Sequence, residues 1–221
     1  MSEPGDFLAG GRAADVYDLW DGTVLRRYRT DHDSEPEGRL MQALHAAGYP
    51  VPQVHRIDGR DLVMDRVDGP TMVDDVARRP WRLNAHVRTL ARLQRQLGTI
   101  EPPSWLPPDE RIPAGDSILH LDLHPMNVLL SRSGPVVIDW TNACRGQADF
   151  DAAMTYILAA ALEPADWKEA LGVRLMLRSF LRHRGPAAID RWWTEAIDYR
   201  RADPNVTPGE AATLDALRPG R

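Results

Sequence analysis

His120, Asp122, His124, Asn127 and Asp139 all stand in one otherwise aliphatic stretch, HLDLHPMNVLLSRSGPVVIDW, residues 120–140. Buried without partners, such groups would cost about 2 kcal/mol or more apiece, so they pair with one another or gather around something else. NVLL and PVVID read as two short strands joined by the turn SRSG. With that turn centred between Arg132 and Ser133, Asn127 falls opposite Ile138, immediately beside Asp139. One amide oxygen and one carboxylate then converge at the open end of a hairpin, and such hard donors suit Mg²⁺. Asp122, across the bend that Pro125 enforces, can reach the same mouth as a base for a substrate hydroxyl, the division of labour of kinase-type phosphoryl transfer. His120 reads as a brace for the loop backbone, and His124 as a second brace or a substrate contact. Zinc held by His120 and His124 is a weaker metal reading, because no cysteine and no H-E-x-x-H pattern supports it. Taken singly, each residue is an ordinary turn former or satisfied polar group. The joint spacing H-x-D-x4-N-x11-D is what structure alone does not explain.

Something must hold these residues in place, and the chain changes character near residue 69. Before it, DVYDLW and TVLRRYR flank the hairpin signal Asp21-Gly22, and LVMDRV follows a turn at Asp58-Gly59. Between them Leu40, Met41, Leu44 and Ala47 recur at helical spacing, with Gly48 as the stop. Beyond residue 69 the pattern is mainly helical. Thr71 with Asp74 forms a capping box, and Leu83, Val87, Leu90 and Leu97 mark a helix ending at Gly98. Residues 101–117 are a proline-rich loop. Three or four helices follow from about residue 149, the last capped by Thr207, with Pro208 in its first turn and Glu210 closing a second box. Strands first and helices second predict an α+β protein of two lobes: residues 1–68, an antiparallel sheet plus one helix, and residues 69–221, larger and mainly helical.

The 221 residues are 43% hydrophobic, enough for a real core, and carry a formal net charge of −5. That charge argues against nucleic acid as a partner. No apolar run reaches membrane-spanning length and the first residues lack a secretory pattern, so no membrane partner is expected. The single cysteine, Cys144, excludes a disulfide framework and suits a reducing cytoplasm. Among 27 basic residues only Lys168 is a lysine, the mark of an arginine-biased source.

HLDLHPMN followed by VVIDW resembles the catalytic loop and metal-binding aspartate of the aminoglycoside phosphotransferase and choline kinase-like families, which share the protein-kinase-like fold. Trp140 stands where protein kinases have the Phe of D-F-G. The resemblance runs over roughly residues 7–160. It implies that Asp122 is the catalytic base and that Asn127 and Asp139 bind magnesium. LAGGRAADVY resembles the phosphate-covering hairpin through Gly10 and Gly11, without a full G-x-G-x-x-G. TVLRRY resembles the strand that carries a phosphate-binding lysine, and EGRLMQAL the helix whose glutamate pairs with it, here Glu37. Arg26 takes the lysine position, with Arg27 next in register. Arginine keeps charge-assisted bonding to phosphate and to Glu37, though with a bulkier fork. LVMDRVDG resembles the hinge, implying Met64 behind the adenine and the backbone of Asp65 and Val67 along its edge. Asp151, in the first turn of a helix, is implied to stabilise the catalytic lobe.

The activity so implied is transfer of the γ-phosphate of ATP, with GTP as the alternative donor, to a hydroxyl of a small molecule, with Mg²⁺. A competing reading is an inactive nucleotide-binding, regulatory module, which the Arg26 departure keeps open. A protein kinase fits less well, since no long activation segment and no A-P-E follow Asp139. Residues 149–221 hold eleven acidic against ten basic residues, which does not favour a strongly cationic acceptor. Trp192, Trp193 and Tyr199 read as core packing or as a stacking surface for a ring, and Trp105 as a lid element. The sequence leaves the acceptor and the oligomeric state open.

Overall fold

The reversal expected at Asp21-Gly22 forms as a connection over residues 19–22, with Trp20 at φ 68° and Gly22 at φ 87°, and it pairs Asp18 with Val24 in a register centred on Asp21. The structure is a computed structural model that describes residues 5–11 and 13–218. Strand β1 (Phe7–Gly10) runs into β2 (Ala14–Asp18) and β3 (Thr23–Tyr28), followed by helix α1 (Glu35–Ala46), β4 (Val54–Asp58) and β5 (Asp61–Asp65). Among the described residues they make an antiparallel sheet in the order β1-β2-β3-β5-β4. Arg26 pairs with Val16 and Leu62 in this sheet. Helix α1 begins with Pro36 and two acidic residues in its first turn, which suit the dipole, and buries Leu40, Met41 and Leu44 on one face. Gly38 lies on the same helix so close to β4 and β5 that an added Cβ would come within 2.7 Å of Ile57 and Leu62 side chains.

After residue 70 come α2 (Met72–Arg78), α3 (Leu83–Leu97) and the short strand β6 (Ser117–Leu119). Thr71 and Asp74 form the expected capping box, and α3 buries Val87, Leu90 and Leu97. A single 3-10 turn, Pro125–Asn127, leads into the hairpin β7 (Val128–Ser131) and β8 (Gly134–Val137). Its register pairs Val128 with Val137 and Ser131 with Gly134, as the turn arithmetic predicts. Then follow β9 (Cys144–Gly146), α4 (Ala148–Ala160), α5 (Trp167–Arg184), α6 (Pro186–Asp190), α7 (Trp193–Arg201) and α8 (Pro208–Ala216). β9 pairs with β6, a ribbon without a pattern in the sequence because both strands have three residues. Thr207 accepts the Glu210 N–H at 3.0 Å, but the Glu210 carboxylate turns to Arg200 at 2.6 Å instead of closing a box. A full guanidinium charge outbids a neutral backbone N–H.

The chain divides into two compact units, residues 1–70 with 128–141, and residues 71–127 with 142–221. The hairpin β7–β8, which the sequence reading sets in the 69–221 lobe, here groups with the sheet. Within that first unit Leu130 N–H donates to Pro70 O at 2.8 Å and Val137 N–H to Pro50 O at 2.8 Å. In the second unit Leu119, Leu121, Phe150, Met154, Ile157, Ile197 and Leu214 share one core, with Trp192, Trp193 and Tyr199 packed against it. Trp193 Nε1 donates to Leu217 O at 2.8 Å. These aromatics serve packing.

Gly69 is where the 65–70 segment meets the hairpin: a Cβ there would sit 2.1 Å from the Leu130 carbonyl oxygen. Backbone on both sides leaves no flexible group to yield. Gly69→Ala is expected to cost about 2 kcal/mol or more, read as a lowered urea midpoint, and an unchanged midpoint would show that the hairpin is not seated as described.

Candidate active site

In the first unit the strand period decides which arginine faces α1. Arg26, with Tyr28 two residues on, points toward Glu37, while Arg27 turns to the opposite face and binds Asp61 at 2.8 and 2.7 Å. Arg26 Nη1 donates to Glu37 Oε1 at 2.8 Å, and its Nη2 donates to Asp139 Oδ1 at 2.7 Å and to Thr141 Oγ1 at 3.0 Å. Glu37, only 4% exposed, also accepts from the Tyr28 hydroxyl and from Trp140 N–H at 3.1 Å. Thr141 Oγ1 donates to Asp139 Oδ1 at 3.0 Å and lies 2.9 Å from the Tyr28 hydroxyl. Burial of Arg26 works toward deprotonation, but the charges of Glu37 and then Asp139 outweigh it and raise its pKa, so the guanidinium stays charged. Tyr28 is pushed up by burial and then by the Glu37 charge, which keeps it a neutral donor.

Asp139 sits at φ 67°, a left-handed backbone that a non-glycine residue adopts at a cost of about 1 kcal/mol or more. Trp140 behind it is fully buried, edge-on to Tyr49 at 5.7 Å. Its indole Nε1 donates to Val137 O at 3.3 Å. The aromatic ring thus fixes the direction in which the Asp139 carboxylate leaves the strand.

The remaining expected positions of this unit are separate from that cluster. Gly10 and Gly11 lie at the β1–β2 turn, where Gly11 N–H donates to Ala14 O at 2.8 Å. A Cβ on Gly10 would come within 3.1 Å of Arg29. Met64 is buried between Val24 and Val54 in register. Asp65 N–H is committed to Gln53 O and Arg66 N–H to Gly22 O, both at 2.9 Å, so Asp65 would have its carbonyl, rather than its N–H, to offer a base edge. Val67 follows in the same segment.

In the second unit α4 holds the loop that carries Asp122. Asp151 and Thr155, one helical turn apart, face that loop together. Asp151 Oδ1 accepts from Leu121 N–H at 2.7 Å, and Thr155 Oγ1 donates to Leu123 O at 2.7 Å. Gln94 of α3 donates to Thr155 Oγ1 at 2.6 Å. Leu121 between these anchors is left-handed, φ 64°. That conformation turns the side chain of Leu121 into the core and leaves Asp122 beside it part-exposed. His120 is buried and its Nδ1 accepts Asp122 N–H at 3.3 Å, the backbone brace that the sequence suggests.

Asp122 meets Asn127 and His124. Asn127 Nδ2 donates to Asp122 O at 2.9 Å and to Asp122 Oδ2 at 3.1 Å, and His124 Nε2 lies 3.3 Å from Asp122 Oδ1. The reverse amide orientation would set oxygen against oxygen, so the Asn127 nitrogen is spent on Asp122 and its oxygen is turned away, available to a cation. Burial works against ionisation of Asp122, but the His124 hydrogen bond, the charges of His124 and His120 and the Asn127 amide together hold its carboxyl below the usual carboxylate range. Asp151 differs: burial dominates and raises its pKa.

Of the expected residues, then, Arg26, Glu37 and Asp139 meet in the first unit, and Asp122, Asn127, His120 and His124 meet in the second. Asn127 and Asp139 belong to different units. Tyr28, Thr141, Gln94 and Thr155 were missed by sequence reasoning. For Tyr28 and Thr141 a signal existed, each being two residues beyond a charged site residue. Gln94 and Thr155 carry none, because mid-helix polar residues reveal a partner only once the helices are packed.

Comparison with known families matches a model described as the phosphotransferase enzyme family, APH, over residues 5–116 and 108–192. Among solved structures, the gentamicin complex of APH(2")-IIa aligns at TM-score 0.65 and 15% identity, covering 97% of this chain and 91% of that one. A thermostable mutant of aminoglycoside phosphotransferase APH(4)-Ia, in ternary complex with AMP-PNP and hygromycin B, aligns at 0.66 and 16%, covering 97% and 94%. An ethanolamine kinase of Plasmodium vivax aligns at 0.56 and 11%, covering 96% and 81%. At these identities the likeness is one of fold, the two-lobed protein-kinase-like architecture. A search of curated proteins gives no match.

The anchoring of the loop by α4 predicts a separable effect. Asp151→Ala leaves Leu121 N–H unpaired in the core and should cost about 1–3 kcal/mol. Leu121→Gly relieves the left-handed strain but frees the loop. Both should raise amide hydrogen exchange at residues 120–124 selectively, and exchange at wild-type rates would contradict the anchoring.

Proposed function

Because the chain belongs to the phosphotransferase enzyme family, we propose that it moves the γ-phosphate of ATP, or of GTP, to a hydroxyl of a small molecule in a Mg²⁺-dependent reaction. The observation that carries this reading is the Asp122 cluster, a carboxylate kept ionised on a strained, anchored loop and bonded directly to Asn127. Asp122 accepts the proton of the acceptor hydroxyl as that oxygen attacks phosphorus, and a base already ionised at neutral pH needs no preceding deprotonation. Asn127 orients Asp122 through its amide nitrogen and offers its oxygen to the metal. Asp139 offers a carboxylate. Both are the hard donors that magnesium takes, and the ion supplies neutralisation of the phosphate oxygens when bound. Arg26, held by Glu37, donates to the phosphates. Gly10, Gly11 and the backbone of Asp65 and Val67, with Met64 behind, are assigned to the nucleotide. The nucleotide and aminoglycoside complexes among the solved relatives support a nucleotide donor and a hydroxylated acceptor.

One observation favours the second reading, an inactive nucleotide-binding module. The Arg26 guanidinium is already engaged by Glu37, Asp139 and Thr141, and its fixed planar fork cannot turn spare donors toward a phosphate as the rotatable lysine ammonium can. Titration calorimetry with ATP and Mg²⁺, followed by a screen of hydroxylated acceptors, separates the two. Nucleotide binding without phosphate transfer to any acceptor or to water would favour the module.

Substitutions give sharper expectations. Asp122→Ala should leave nucleotide affinity nearly unchanged and lower transfer by about a hundredfold or more, and full transfer would remove Asp122 as base. The folded-state pKa of Asp122 is depressed, so its ionised form persists below the usual carboxylate pKa of about 4 and is lost only as pH falls through the lower value. The acid limb of kcat should therefore lie below about pH 4 wherever the protein stays folded. A limb near pH 6 that disappears in Asp122→Asn would contradict this. Asp139→Asn should weaken Mg²⁺-dependent nucleotide binding. Arg26→Ala should weaken it too, while Arg26→Lys should keep most of it, and a silent Arg26→Ala would exclude the phosphate role.

A further inference from the structure

Two duties of Arg26 conflict. Its Nη1 is spent on Glu37 at 2.8 Å, and its Nη2 on Asp139 Oδ1 at 2.7 Å and Thr141 Oγ1 at 3.0 Å, yet the same residue is assigned to the nucleotide phosphates. Because the guanidinium is a rigid plane, Nη2 serves a phosphate by leaving Asp139 while Nη1 keeps Glu37. Asp139 then loses its cationic partner at the moment its carboxylate is needed. Its backbone, at φ 67°, stores strain that a released residue would relax, and its side chain is 43% exposed, so packing alone does not aim it.

A second hold stands beside the first. Thr141 Oγ1 lies 3.0 Å from Asp139 Oδ1 and 2.9 Å from the Tyr28 hydroxyl, and a count of protons decides what each bond does. Tyr28 gives its one proton to Glu37 Oε2, since a carboxylate only accepts, and burial followed by the Glu37 charge keeps that proton in place. The Tyr28 oxygen therefore offers lone pairs alone. Thr141 has one proton and two acceptors, of which the charged Asp139 oxygen is the stronger. Tyr28 serves as a backstop behind it: the side chain is 1% exposed, its ring centroid 4.2 Å from that of His32 and 5.2 Å from Arg26 Cζ. The backbone entering Thr141 is fixed as well, because the ring of Trp140 is buried and its N–H donates to Glu37 at 3.1 Å.

We propose that Thr141 is the positioning residue of Asp139: its hydroxyl, backed by Tyr28, keeps the carboxylate aimed when Arg26 turns from it to the phosphates. The inference rests on the phosphotransferase reading above and adds to it a residue that carries no charge. Neutrality is what suits Thr141 to the task. Once Asp139 shares its charge with a cation, a guanidinium beside it is repelled by that cation and attracted less by the carboxylate, whereas a hydroxyl meets no such repulsion and its bond to Oδ1 persists. Losing Nη2 removes a donor to the Thr141 oxygen but leaves the proton it gives to Asp139 untouched. The two holds thus divide the work, Arg26 keeping Asp139 in the ligand-free protein and Thr141 in the loaded one.

The test compares Thr141→Val and Thr141→Ser with wild type by titration calorimetry with ATP, once with Mg²⁺ and once with a chelator. Thr141→Val keeps the shape and removes the proton. It should shift the ligand-free thermal midpoint by about 3 °C or less, leave Mg²⁺-free ATP affinity at the wild-type value, and raise the Mg²⁺ concentration needed for half-maximal enhancement of ATP binding by about tenfold, the worth of one hydrogen bond to a charged group. Thr141→Ser, which restores the hydroxyl, should return that concentration to within about twofold of wild type. Thr141→Ala takes the place of Thr141→Val should the latter not fold. An unchanged Mg²⁺ requirement in the folded variant overturns the proposal, and so does an equal loss of ATP affinity with and without Mg²⁺ or a failure of serine to rescue, either of which marks a purely structural threonine. If wild type itself shows no Mg²⁺-dependent ATP binding, the phosphotransferase reading fails and this inference falls with it, whereas a normal wild type beside an unaffected Thr141→Val removes this inference alone.

Discussion

The first unit depends on one buried charge arrangement. Glu37 is almost wholly removed from water, and a carboxylate there is tolerable only because Arg26, Tyr28 and the Trp140 N–H all donate to it. Removing any one partner leaves the others to carry an under-solvated charge, which costs more than the lost bond itself. The consequence is positional. Arg26 cannot leave Glu37 cheaply, so its second nitrogen is aimed at Asp139 by the same geometry that stabilises the fold. The left-handed backbone of Asp139 and the buried ring of Trp140 complete the aim from the other side. Sheet, helix and hairpin are tied at a single guanidinium.

The second unit solves a different problem, how to keep a loop in an unfavourable conformation. Leu121 would leave the left-handed region if its neighbours were free, and α4 prevents that with two side chains one turn apart. Asp151 takes the N–H of Leu121 just before Asp122, and Thr155 the carbonyl of Leu123 just after it. Because α4 is packed on its other sides by Phe150, Met154 and Ile157 in the core, the anchors do not move. Asp122 thereby receives its orientation from backbone constraints, and its ionisation from His124 and Asn127.

Much of this was legible in the sequence where a local rule carried it. The Thr71 capping box and the register of the 128–137 hairpin follow from side-chain period and turn chemistry, and they came out as read, while the reversal at Asp21-Gly22 formed as a wider connection centred on Asp21. The choice between Arg26 and Arg27 is a question of strand face, which a one-residue shift would have inverted, and the structure turns Arg26 toward Glu37. What stayed hidden depends on tertiary packing. The ribbon of β6 and β9 is too short to show a period, Glu210 left its box for Arg200, and Gln94 and Thr155 look like any polar residues in the middle of a helix.

The first unit is assembled from two separated pieces of chain, and this bears on how it is made. Arg26 and Glu37 leave the ribosome long before Asp139 and Trp140, and at about 5–20 residues per second the later piece follows by roughly 5–20 s. During that interval the nascent sheet and α1 hold a glutamate with part of its donor set missing, while the pocket that will take Trp140 beside Tyr49 stands open. Helices α2 and α3 are synthesised in the gap. Vectorial synthesis therefore presents the sheet half-finished, in the state most exposed to chaperones and proteases, until the strand pair 128–137 and the Trp140 that follows it emerge to close it.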